Sequence, residues 1–143
     1  MRVLPLLPIA AALPLAATAQ TTLIDTGALP MREVYEVAEL TPLAVSPDGE
    51  PAVLLLALEA GEVVPPHAAQ SGLRLLTVLS GEMSWGDGGT IEEAHETVHP
   101  AGSILTVPAG ADHWLAARRG PVRLQLVVLD DETPVPALRE QMR

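Results

Sequence analysis

Two of the four histidines stand where their ring nitrogens could do chemistry. His67 lies six residues after Gly61, and His113 lies three residues after Gly110. Imidazole nitrogens bind transition metals and also donate or accept hydrogen bonds near neutral pH. The chain has no Cys and no Lys, which excludes thiolate metal sites, cysteine nucleophiles and Schiff-base lysines. Site chemistry therefore depends on histidines, carboxylates and arginines.

The composition indicates one acidic globular domain. The chain has 143 residues, 18 acidic and only 8 basic side chains, and a formal net charge of −10. A surface of this charge repels phosphate backbones, so we expect no nucleic-acid partner. Aromatic residues make up 2% of the sequence, so the core must be built mainly from Leu, Val, Ile and Ala.

The first twenty residues have the pattern of a secretory signal peptide. Arg2 precedes an apolar run that ends in Ala17-Thr18-Ala19, a small-x-small sequence of the kind that signal peptidase cleaves. We expect residues 1–19 to be removed after Ala19 and the mature protein to be periplasmic or secreted, with no stable membrane span. The alternative is a membrane anchor, for which the stretch 3–19 is short and interrupted by prolines.

The mature chain alternates short apolar runs with Pro- and Gly-rich turns, a pattern that predicts an all-β barrel or sandwich. An N-terminal arm or edge strand at 20–40 precedes a barrel at 41–132 and a tail or short helix at 133–143. The Thr90–Val98 segment is expected to be an exposed loop or a single helical turn. The predicted strands are Glu33–Leu40, Ala52–Leu58, Leu73–Leu79, Ser103–Val107 and Val122–Leu129.

Two spaced motifs resemble those of the cupin superfamily. The first is Gly61-x5-His67 continuing to Gly81, and the second is Gly102-x5-Pro108-x-Gly110-x2-His113. The resemblance implies a jelly-roll, or double-stranded β-helix, barrel with a metal or ligand site in its mouth. The family pattern expects Asn at position 117, where this chain has Ala117.

The first motif departs from the family pattern at its metal ligands. Metal-binding cupins have His-x-His followed by Glu, but the second His position is Ala69 and the Glu position is Arg74, or Leu73 by the alternative count. Only His67 and His113 remain as metal ligands, whereas catalytic sites usually have three protein ligands. The cofactor therefore stays unknown: a divalent metal ion is conceivable, but tight binding is not expected.

A guanidinium in place of a carboxylate indicates a different ligand. If Arg74 points into the barrel mouth, it can hold a carboxylate bidentately, with His67 and His113 as further donors and Trp114 at the pocket edge. The alternatives are that Arg74 turns outward or pairs with Glu82, and that Trp114 packs in the core. His95 and His99, with Glu92, would form a surface metal site only if one helix carried them; we prefer solvated loop residues.

These observations predict an exported, non-catalytic or degenerate cupin that binds a small, anionic ligand in the barrel mouth. The alternative is a metal-dependent enzyme, an oxygenase or isomerase, with His67 and His113 as ligands, so whether the chain is an enzyme stays open. A third role is structural, because cupins commonly pair through strand edges, which would give a homodimer.

Overall fold

The computed structural model describes residues 19–130, and these residues form two antiparallel β-sheets. The all-β fold predicted from the sequence is confirmed. The predicted signal peptide, apart from Ala19, and the predicted tail or helix at 133–143 lie outside the described residues. Between residues 19 and 130 there is no helix with the length and apolar character needed to cross a membrane.

The larger sheet has six strands and the smaller has four. In spatial order the larger contains β1 (Arg32–Val34), β2 (Ala38–Val45), β3 (Pro51–Leu58), β10 (Val122–Leu129), β5 (Leu73–Ser80) and β8 (Ile104–Pro108). The smaller contains β4 (Val63–His67), β9 (His113–Ala116), β6 (Glu82–Asp87) and β7 (Thr97–Pro100). Two single 3₁₀ turns, Thr26–Ala28 and Glu93–His95, complete the regular structure of the described residues.

The core lies between the two sheets and is aliphatic, as the composition predicts. Successive side chains of a strand point to opposite faces, so alternate residues of β3, namely Leu54, Leu56 and Leu58, are buried while their neighbours are half-exposed. Leu124 of β10 and Val64 of β4 are at most 1% exposed. Burying each such side chain contributes about 1.5–3 kcal/mol, which holds the sheets together.

One predicted strand is in fact a hairpin. Residues 33–40 contain the end of β1, a three-residue turn segment and the start of β2, with the Val37 amide donating to the Val34 carbonyl at 3.3 Å. Tyr35 and Glu36 form the turn with φ of 55° and 62°. Turns of this type usually carry Asn and Gly, so a Tyr-Glu turn gave no sequence signal.

The Thr90–Val98 segment combines the predicted loop with an unpredicted strand. It contains the single turn Glu93–His95, as expected, but its last two residues begin β7. Strands β4, β6, β7 and β9 were not among the predicted runs because they are only four to six residues long and contain Pro, Gly or His. These four strands make up the whole smaller sheet.

The glycines of the two motifs have a backbone role. All four have positive φ, between 76° and 91°: Gly61, Gly81, Gly102 and Gly110. At Gly81 a Cβ would also collide with the Pro121 carbonyl oxygen. The motif therefore fixes tight turns between strands, and these turns carry the two histidines to the same end of the barrel.

Candidate functional site

His67 and His113 face each other across paired strands. His67 ends β4 and His113 begins β9, and the two residues are register partners in the smaller sheet. Their ring centroids are 4.3 Å apart with an interplanar angle of 57°. The sequence motifs therefore bring the two predicted histidines into one site.

The two histidines open onto a cavity of about 630 Å³ at the barrel mouth, a volume that suits a small molecule. Two arginines, Arg32 and Arg74, and the phenol of Tyr35 also line it. The remaining lining residues are apolar or uncharged, and none of the described lining residues is an Asp or Glu. The chain as a whole has a net charge of −10, so a cavity lined by two arginines and no carboxylate differs in charge from the protein as a whole.

Arg74 faces this cavity from strand β5. Its side chain is half-buried, and one guanidinium nitrogen, Nη1, donates to the Ser71 carbonyl oxygen at 2.9 Å. The pairing with Glu82 that the sequence allowed does not form, because Glu82 lies 3.5 Å from Arg119 instead. Arg74 also borders a neighbouring cavity lined by Asp48, Glu50 and Asp130, but among residues 19–130 no carboxylate lies within ion-pair distance of its guanidinium.

Tyr35 covers His67 from the β1–β2 turn. The two ring centroids are 4.7 Å apart, and the Tyr35 ring is half-exposed at the rim of the cavity. Burial raises the pKa of the Tyr35 phenol, while the positive charge of Arg74 opposes that rise. The phenol is therefore a neutral hydroxyl at physiological pH, able to donate a hydrogen bond into the cavity.

His113 is the more enclosed of the two imidazoles. It is 5% exposed and lies between His67 and the indole of Trp85, which stacks on it at 4.5 Å and 12°. Burial lowers the pKa of His113, and the nearby His67 and Arg74 lower it further, against the opposing effects of the Ala111 carbonyl and Asp87. The ring is therefore neutral at physiological pH.

Trp114, expected at the pocket edge, lies on the other side of the smaller sheet. It follows His113 in β9, so its indole points away from the cavity; it is 1% exposed and covers Gly86. Its Nε1 donates to Glu96 at 3.2 Å, and Arg118 binds the same carboxylate at 2.7 Å. Trp114 is therefore buried on the outer face of the smaller sheet, outside the core between the sheets, and it does not contact the mouth cavity.

His95 and His99 do not share a helical face. His95 is an exposed residue of the 3₁₀ turn, 2.9 Å from Glu92, as expected for a solvated loop. His99, in contrast, lies on β7 opposite Met83 and lines a second cleft of about 350 Å³. His113 lines this cleft as well as the mouth, so the two cavities adjoin at His113.

The donor set does not fit a tightly bound metal ion. Within residues 19–130, no group of three or more His, Cys, Asp or Glu side chains could hold one. Arg74 stands where the motif has Glu, and Ala69 stands where it has the second His. Both residues line the cavity. Two imidazoles beside a fixed positive charge are fewer ligands than a catalytic transition-metal site uses.

Comparison with solved structures identifies the architecture. A cupin superfamily protein from Desulfitobacterium hafniense matches 69% of this chain and 84% of its own, with TM-score 0.51 and 22% identity. The chain has a cupin fold. Other proteins with this similarity include a polyketide cyclase from Streptomyces resistomycificus (TM-score 0.62, 16% identity, 80% of this chain and 83% of its own). A predicted oxalate decarboxylase from Thermotoga maritima has TM-score 0.59 and 15% identity over 76% of this chain and 99% of its own.

The comparisons establish the cupin fold but no specific activity. No protein-family model matches the sequence, and no curated protein matches it. The neighbours in the cupin fold carry the names of different activities, and a shared fold does not imply a shared function. The function of this cupin-fold protein must therefore be argued from its own side chains.

Sequence reasoning missed three residues that surround the two histidines. Arg32 and Tyr35 come from the N-terminal hairpin, outside both motifs, and only the sheet order places them beside His67. Trp85 stacks on His113 from strand β6, which neither motif includes. Its alternation with Met83 along β6 is the one sequence signal that favours an inward direction for this ring.

Proposed function

We propose that this cupin-fold protein binds a small carboxylate-containing molecule in its mouth cavity. The lining of that cavity carries the proposal: two arginines without acidic partners among the described residues, together with a phenol, in a protein with 18 acidic side chains. Arg74 would hold the carboxylate through charge-assisted hydrogen bonds, and Arg32 at the rim would attract it from solution.

The name of one neighbour with the same fold agrees with this ligand class. This neighbour is named as a predicted oxalate decarboxylase, and oxalate is a small dicarboxylate. The cavity of about 630 Å³ has room for a larger carboxylic acid than oxalate. Its apolar walls, which include Leu54, Leu56 and Leu126, favour an acid with a short hydrocarbon portion.

Calorimetric titration with oxalate, malonate, succinate and pyruvate tests the proposal. Arg74→Gln should weaken binding about tenfold or more, because a charge-assisted hydrogen bond contributes about 1.5–3 kcal/mol. Arg119→Gln is the matched control, since Arg119 is exposed and pairs with Glu82 outside the cavity lining. The proposal is wrong if the unmodified protein binds none of these acids, or if Arg74→Gln binds them equally well.

Export and self-association are separate parts of the proposal. We propose that residues 1–19 direct export and are removed, which N-terminal sequencing of the secreted or periplasmic protein would test by finding Gln20 as the first residue.

We also propose a homodimer. Exposed apolar side chains on strands of the larger sheet, Ile104 at 67% and Leu79 at 47%, support it, and light scattering on the purified protein would measure its mass.

A further inference from the structure

The two imidazoles of the mouth are both fixed in the same tautomer. His67 Nδ1 lies 2.9 Å from the Pro65 carbonyl oxygen, and His113 Nδ1 lies 2.8 Å from the Ala111 carbonyl oxygen. A carbonyl oxygen can only accept a hydrogen bond, so each Nδ1 must carry the proton. When such a ring carries a single proton, Nε2 is therefore the nitrogen with a free lone pair.

Both Nε2 atoms are open to solvent-filled space. Neither makes a hydrogen bond to a described residue. Yet no buried side-chain nitrogen or oxygen among the described residues lacks a partner, so these atoms are not sealed in the core. His67 and His113 both line the mouth cavity, so a molecule there would lie against these two rings.

With the proton on Nδ1 and the lone pair on Nε2, the two histidines are not suited to bind an anion. A neutral ring that donates its only N–H to its own backbone has no donor left for a carboxylate, and its lone pair repels one. A lone pair facing a bound molecule is instead suited to accept a proton. The positive charges of Arg32 and Arg74 at the same cavity would stabilise the negative charge that loss of such a proton creates.

We propose that His67 and His113 act as metal-independent general bases on a small 2-oxo carboxylic acid held by Arg74. An Nε2 lone pair takes a proton from the carbon next to the ketone, so the C–H bond breaks and an N–H bond forms. The C–H electron pair forms the C=C bond of an enolate whose charge rests on the ketone oxygen. Return of the proton from the imidazolium to carbon restores the ring, and no oxidant or reductant is needed. The inference rests on the proposed function, because it needs a carboxylate in the mouth.

Deuterium exchange tests this step directly. Pyruvate and 2-oxobutyrate are incubated with the full chain in D₂O containing a chelator, and proton NMR follows loss of the signal from the carbon next to the ketone. We expect exchange well above the rate without protein. His67→Gln and His113→Gln should each slow it about 100-fold, the usual contribution of a general base. Their affinity for pyruvate, measured by calorimetry, should stay within about threefold, since charge-assisted bonds from Arg74 carry most of the binding.

The variants are chosen so that folding and chemistry can be separated. His113 is 5% exposed, so its replacement can unfold the protein; His67 lies at a strand end, is less buried, and gives the cleaner measurement. Circular dichroism checks each variant. His95→Gln is the control, because that side chain is 73% exposed on a turn outside the cavity lining, and exchange should be unchanged.

Each outcome has a distinct meaning. Exchange that is lost in His67→Gln while pyruvate still binds supports the inference. Binding of 2-oxo acids without exchange, or exchange that survives both histidine replacements, overturns it and leaves carboxylate binding intact. Binding of oxalate or succinate but not of 2-oxo acids overturns it in the same way. If no carboxylate binds at all, both this inference and the proposed function are wrong.

Discussion

The imidazole rings of His67 and His113 lie 4.3 Å apart, centroid to centroid, on register partners of neighbouring strands. At this separation no ligand fits between the rings, so a molecule in the mouth must meet both from the same side. Arg74 faces that cavity from the opposite sheet. The site therefore combines adjacent proton acceptors with a fixed cation, an arrangement unlike a closed shell of metal ligands.

Metal content should be low and independent of His113. Two imidazoles beside Arg74 should bind a divalent ion weakly, because residues 19–130 supply no third ligand and the guanidinium repels the ion. Mass spectrometry of protein purified without chelators or a histidine tag should find well under one metal per chain. His113→Gln should give the same value. Near-stoichiometric metal that disappears in His113→Gln would contradict this and favour a metal-dependent enzyme.

Glu36→Gly should stabilise the β1–β2 hairpin. Glu36 has φ of 62°, a region that costs an ordinary side chain about 1 kcal/mol and Gly almost nothing. Its side chain is exposed, so little contact is lost. Gly also raises the entropy of the unfolded chain, which costs about 0.4–1 kcal/mol, so we expect the free energy of unfolding to rise by up to about 0.5 kcal/mol in urea denaturation. Glu36→Ala keeps the unfavourable backbone and should show no gain; an equal gain in both variants would rule out the backbone explanation.

The sequence predicted the fold well where local chemistry decides it. Long β-rich runs such as Val122–Leu129 are strands with the predicted bounds, and the motif glycines mark turns that require positive φ. His67 and His113 were placed together because their motif spacing is characteristic of the cupin fold. For these features, residue type and spacing alone were enough.

The rest of the site depends on long-range packing that spacing does not reveal. Arg32 and Tyr35 reach the mouth because β1 pairs with β2 at the sheet edge, a hairpin with no turn signal in its sequence. Trp114 and His113 are neighbours in sequence but lie on opposite faces of β9, so naming both as ligand contacts conflicted with strand alternation. His99 was interpreted as a solvated loop residue, but it lies on strand β7.

Gly86→Ala should destabilise the smaller sheet. The Trp114 indole lies where a Cβ at position 86 would be, so an added methyl must displace a ring that is 1% exposed. Overpacking of this kind costs about 1–3 kcal/mol, which a lower urea midpoint with an unchanged slope would report. At Gly89, whose nearest neighbour to a Cβ is Asp112 Oδ2 at 3.8 Å, Ala should change stability by less than about 0.5 kcal/mol. Equal effects at both positions would contradict the packing argument.

The Glu96–Arg118 pair should make stability depend on acid pH. Hydrogen bonds from Arg118 lower the pKa of Glu96 below its ordinary value of 4.5, helped by the Trp114 indole and opposed by burial. A carboxyl whose pKa is lower in the folded state stabilises the protein fully above about pH 4.5. As the pH falls, Glu96 takes up a proton in the unfolded chain before it does so in the folded protein, which favours unfolding. The stabilising contribution is therefore lost as the pH falls through the folded-state pKa.

Comparison of Glu96→Gln with the unmodified protein isolates this effect. The Glu96 side chain is 8% exposed, so the variant should lose about 1–2 kcal/mol of unfolding free energy at neutral pH. The difference between the two proteins should shrink below pH 4.5 and vanish when Glu96 is protonated in the folded protein. Glu92→Gln removes only the exposed contact with His95 and should cost less than about 1 kcal/mol. A difference for Glu96→Gln that stays constant from neutral to acid pH would show that loss of shape, rather than loss of charge, destabilises the variant.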